Sequence, residues 1–88
     1  MLFVLWFQWD PENTSKLLKI WKEFKYPEEV KLIGRYLLIG RHVSMAIFHA
    51  PNEEAILKIT HPFREIGIPH INPALPFDEA MEMMERME

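Results

Sequence analysis

The spacing of apolar residues changes period several times along the chain, and each change marks an element. In residues 2–9, LFVLWFQW, the side chains fall into two alternating sets, Leu2/Val4/Trp6 and Phe3/Leu5/Phe7/Trp9, and both are apolar. A period of two in β-branched and aromatic residues predicts a strand. Apolar character on both sides predicts that protein covers both faces. Asp10-Pro11 follows, combining an oxygen acceptor for orphan helix N–H groups with a preset φ, which starts a helix. Over the next residues Leu17, Leu18, Ile20, Trp21 and Phe24 take one side while Lys16, Lys19, Lys22 and Glu23 take the other. This is an amphipathic helix, predicted to run to about Lys25. Tyr26-Pro27 ends it, because a residue ahead of proline is driven out of the α region.

A second strand is predicted over 30–39, VKLIGRYLLI, with Gly34 marking a bulge or a close backbone approach. Gly40-Arg41 turns the chain into a third strand over 42–50, where Val43, Met45 and Ile47 share one face and Ser44, Ala46 and Phe48 the other. Asn52 caps a second helix with Glu53 and Glu54 in its first turn, and Pro62 interrupts it. Thr60 or His61 then caps a short turn and Gly67 is read as its left-handed stop. Residues 66–75 form a fourth strand that Pro69 and Pro73 push to a sheet edge. Ile68, His70 and Asn72 share one face of it and Pro69, Ile71 and Pro73 the other; the pattern leaves open which face meets the helices. Asp78 is read as the cap of a third helix with Ala80, Met81, Met84 and Met87 along one stripe.

The order β-α-β-β-α-β with an added C-terminal helix is the ferredoxin-like arrangement, an α+β fold in one domain over residues 1–88. Right-handed crossovers put both main helices on one face of an antiparallel sheet with strand order 4-1-3-2. The other face is left free although the first strand is apolar there too. A homodimer that stacks the two free faces resolves this.

The strings MLFVLWFQWDPENTSKLLKIWKEF, KLIGRY, HVSMAIFHAPNEEAILK and INPALPFDEA resemble a family of short bacterial and archaeal proteins known as a domain of unknown function. That family is similar in fold to the dimeric α/β-barrel superfamily. The shared features are an aromatic first strand, the Asp-Pro helix start, the Gly34/Tyr36 pair and a proline at 73. Here a tyrosine stands at 36, where members often have a tryptophan nearby, and the hairpin IGRH is poorer in glycine. The resemblance implies a dimer and a pocket between sheet and helices. The superfamily's cofactor-free monooxygenases and isomerases enter only by analogy.

Composition narrows the chemistry. A formal charge of −3 gives no basic excess to displace counterions from phosphates, which argues against nucleic acid as a partner. The absence of cysteine removes disulfides, thiolate zinc sites and cysteine nucleophiles together. The opening apolar run is too short for a membrane span and has no basic residue before it, so a cytoplasmic protein is the default reading. His42, His49, His61 and His70 show no HxH or HxxxH spacing, and no metal site is predicted. No P-loop, dinucleotide fingerprint or haem attachment motif occurs, and no cofactor is predicted. Ser15 and Ser44 lack an elbow or triad context.

The densest chemistry lies in ITHPFREIGIPHINPAL, residues 59–75, most of which serves to end a helix, turn and enter a strand. His70 is the candidate anchor of a ligand pocket, with Trp6, Tyr36 and Asn72 beside it. No catalytic residue is assigned. The reading is a homodimeric small-molecule-binding or structural protein that takes a small apolar ligand. The alternative is a cofactor-free monooxygenase or isomerase acting on a small apolar substrate between sheet and helices. Whether the chain is an enzyme stays open at this point. The methionine stripe is read as packing on its own subunit or on a dimer mate.

Overall fold

Alternation and helical spacing lead to real elements at every predicted position in the computed structural model, which describes residues 1–88. In chain order these are β1 (Leu2–Trp9), α1 (Thr14–Glu23), β2 (Lys31–Leu37), β3 (Val43–His49), α2 (Glu53–Thr60), β4 (Gly67–Ala74) and α3 (Phe77–Met87). Single 3-10 turns at Pro11–Asn13 and His61–Phe63 lead into α1 and follow α2. The four strands form one antiparallel sheet in the order β2-β3-β1-β4. This is the ferredoxin-like α+β arrangement with an added C-terminal helix, and it places proline-bearing β4 at an edge.

Local chemistry explains the element ends. The Asn52 side chain accepts from the Ala55 N–H at 2.9 Å, capping α2. Asp10 does not cap with its side chain; Pro11 opens a 3-10 turn instead, in which the Asn13 N–H donates to the Asp10 carbonyl at 2.9 Å. The α-helix begins at Thr14, whose hydroxyl donates to the Pro11 carbonyl at 2.7 Å and accepts from the Trp9 indole N–H at 3.1 Å. Asp78 likewise makes no cap: Pro76 precedes α3, and Asp78 lies inside the first turn, where its charge meets the positive end of the helix dipole.

Gly67 is not a left-handed stop. Gly40 alone has a positive φ, 85°, at the β2–β3 turn. Gly67 is needed for another reason. A Cβ there would run into the Gln8 carbonyl oxygen of β1 and stand 2.8 Å from Phe7 Cζ. Gly34 is a second close approach, since the Tyr36 ring lies where its Cβ would be, 2.8 Å from the hydroxyl. The bulge in β2 falls between Leu32 and Gly34.

The register resolves which side chains share a face. Leu5 pairs with Ala46 and Ile71, and Phe3 with Phe48 and Pro73, on the side the helices cover. Trp6 pairs with Met45 and His70, and Val4 with Ile47 and Asn72, on the side away from them. The helix-covered side holds two core clusters. One gathers Leu5, Val30, Ala46, Phe48, Ala55 and Ile59. The other gathers Phe7, Trp9, Leu17, Phe63 and Ile66. Phe24 packs against both.

α3 buries no residue, and Phe77 and Met87 are among its most exposed side chains. It is therefore not folded back on its own subunit. The radius of gyration is 14.8 Å, against about 12 Å for a compact chain of this length. No helix is long and apolar enough to cross a membrane.

Candidate functional site

The two core clusters do not close completely where they meet. Between them the sheet and helices enclose a cavity of about 200 Å³, and 11 of its 15 lining residues are hydrophobic. Its floor is the covered face of the sheet, with Leu5 and Phe7 from β1, Ala46 from β3 and Pro69 from β4. Its roof is Trp21 and Phe24 at the end of α1, Ile59 and Thr60 of α2, and Phe63 of the 3-10 turn. α1 ends at Glu23, short of the Lys25 predicted from the sequence, and Phe24 follows it as an extended C-cap residue whose ring joins Trp21 in the roof. The roof rings interlock: Phe63 packs at 5.2 Å from Phe24 and 5.6 Å from Phe7, centroid to centroid.

The mouth opens toward β2. There the bulge turns Arg35, opposite Ala46, and Leu37, opposite Ser44, toward the helix side. The Arg35 guanidinium carbon stands 5.5 Å from the centre of the Tyr26 ring, a cation–π distance. Tyr26 also packs at 5.0 Å on Phe24. Burial pushes the Tyr26 hydroxyl pKa above the ordinary tyrosine value, partly offset by the positive charge of Arg35. At neutral pH it is therefore a protonated phenol, able to donate.

Of the four residues singled out from the sequence, Tyr36 borders this cavity, at its β2 rim. Trp6, His70 and Asn72 lie together on the opposite face of the sheet, with Trp6 opposite His70 and Val4 opposite Asn72. Trp6 and His70 are stacked, centroids 3.8 Å apart and planes 5° from parallel. His70 Nε2 is buried without a hydrogen-bond partner, while Asn72 is exposed. A more open hollow of about 190 Å³ on this side is bordered by Trp6, Leu38, Arg41, Val43 and Met45. No three His, Asp or Glu side chains converge anywhere in the chain.

The cavity residues that sequence reasoning did not single out are Tyr26, Arg35, Trp21, Phe24 and Phe63. Tyr26 was legible only as part of a helix stop, and Arg35 only as a position in the second strand. The alternation within β3 did place Ser44 and Ala46 on one face, and both line the cavity.

Neither the curated proteins nor the solved structures contain a match to the chain. A family model does match, over residues 1–88, and the chain belongs to the family described as a domain of unknown function, DUF3303.

Proposed function

We propose that this chain is a noncatalytic small-molecule-binding protein that works as a homodimer. The observation that carries the reading is the apolar cavity of about 200 Å³ between sheet and helices. Dry apolar cavities of about 150 Å³ accommodate benzene, so there is room for one ring with a substituent. The lining is mostly aromatic and aliphatic with few polar groups, the usual make-up of small-ligand sites. No histidine lines the cavity, and the His70 ring stacks on Trp6 across the sheet from it; binding is therefore the reading favoured.

A second copy is the occupant proposed for the free sheet face. Val4, Trp6, Met45 and Ile47 form its centre, and Ile68 and Tyr36 at its margins are 60% and 58% exposed. A self-complementary apolar sheet face suits a two-fold interface.

Nuclear magnetic resonance titration of the labelled protein with ethylbenzene tests the binding site. Resonances of Trp21 and Phe63 should shift saturably, and a titration that leaves them unmoved sinks the reading. Light scattering tests the assembly: the wild type should be a dimer at micromolar concentration and Trp6→Glu a folded monomer. A monomeric wild type refutes the dimer.

A further inference from the structure

The cavity's polar groups are few, and one of them is cationic. They are carried by the side chains of Tyr26, Arg35, Ser44 and Thr60, while Tyr36, opposite Met45, turns its ring to the other face of the sheet; no aspartate or glutamate borders the cavity. Thr60 is committed to the backbone, donating to the Leu57 carbonyl at 3.5 Å. Arg35 has no anionic partner, for the one ion pair in the chain joins Lys58 to Glu29. Its guanidinium is held beside the cavity wall by the Tyr26 ring. The Tyr26 hydroxyl makes no hydrogen bond within the chain and is a donor at neutral pH. Two donors, one of them cationic, thus sit beside an apolar recess that contains no anion. Their complement is an anion carried on an apolar body.

A single planar guanidinium matches a carboxylate, which it engages with two parallel N–H donors. A phosphate dianion calls for more positive charge than one arginine supplies. The body must fit about 200 Å³, which is a ring rather than a long acyl chain. The net charge of −3 repels anions overall, so the attraction has to be local to this mouth.

We infer that the cavity takes a small monocarboxylic acid with an aromatic or alicyclic body, the ring among Phe7, Phe24 and Phe63 and the carboxylate on Arg35 and Tyr26. This rests on the reading of the cavity as a ligand site and adds the ligand's class.

The test compares benzoate with benzyl alcohol, its neutral counterpart of similar size, by resonance titration of the full chain at neutral pH. A charge-assisted pair at an accessible mouth should make benzoate about tenfold tighter than benzyl alcohol. Arg35→Gln, on an exposed edge strand, should remove that preference while benzyl alcohol still binds, and Tyr26→Phe should weaken benzoate several-fold. Equal affinities in the wild type, or a preference that survives Arg35→Gln, overturn the assignment and leave the cavity reading standing. If neither compound moves the Trp21 and Phe63 resonances, both fall.

Discussion

Truncating Phe63 to alanine probes the cavity wall most directly. Phe63 is 7% exposed and packs on Phe7 and Phe24, but one side of its ring borders the cavity. Phe→Ala in a close-packed core costs about 3–5 kcal/mol, the sum of lost transfer free energy and the void left behind. Here the void joins space that already exists, and fewer neighbours lose contact atoms. The expected loss is therefore at the low end, about 3 kcal/mol. A chain of this length has a total stability of roughly 4–13 kcal/mol, so the variant is measurable but weakened. With a urea slope near 1 kcal/mol per M the midpoint should fall by roughly 3 M. Tryptophan fluorescence reports the transition, since Trp21 borders the same cavity. The enlarged space should then accept benzene, and at about 100 times its Kd benzene should restore roughly 2.7 kcal/mol. A loss under about 1 kcal/mol would refute the packing argued for this wall. A full loss without rescue by benzene would show that the wall collapses rather than leaving a cavity.

Two further outcomes follow from the same geometry. In a Tyr36→Phe background Tyr26 is the one tyrosine left, and its phenol absorbance should titrate above 10.0, the ordinary value. A raised folded pKa means that the native state holds the proton more tightly. The associated stability is complete below the unfolded pKa and is lost as pH rises through the folded one. Adding Arg35→Gln should move the titration higher still, because Arg35 lowers it; titration at or below the ordinary value refutes the burial. Deleting residues 77–88 in the Trp6→Glu background should change unfolding free energy by less than about 0.5 kcal/mol, since α3 buries nothing. A loss above about 1 kcal/mol would show that α3 packs on its own subunit.

The elements were legible where side-chain period and cap chemistry are local. The two faces of β1, the pairing of Ser44 with Ala46 and Phe48, and Asn52 as a cap all came from spacing within a few residues. The β4 alternation grouped His70 with Asn72, but only the pairing with Trp6 and Val4 shows that this face turns from the helices. The site was illegible for a related reason. An unbroken β2 carried on from the Leu32–Phe48 pair would point Gly34 and Tyr36 toward the helices. One extra residue between Leu32 and Gly34 reverses the parity and brings in Arg35 and Leu37. The cavity itself exists because two clusters meet imperfectly beneath Phe24, a property of helix placement rather than of any motif. Gly67 was misread because loss of a Cβ serves close approach as well as positive φ, and the sequence does not distinguish them.

Gly67 also bears on how this sheet chooses among alternatives. A strand with one polar face is held in place by its pattern, since a slip of one residue exposes its apolar set. β1 lacks that safeguard, because Trp6 and Phe7 are equally at home under cover. In the native pairing Gly67 lies opposite Trp9, where the β1 backbone leaves no space for a side chain. Sliding β4 by one position in either direction would bring Ile66 or Ile68 to that place. The alignment of the edge strand is thus enforced in part by exclusion: a steric veto at one end acts together with His70 and Asn72, which the same slip would turn toward the helices.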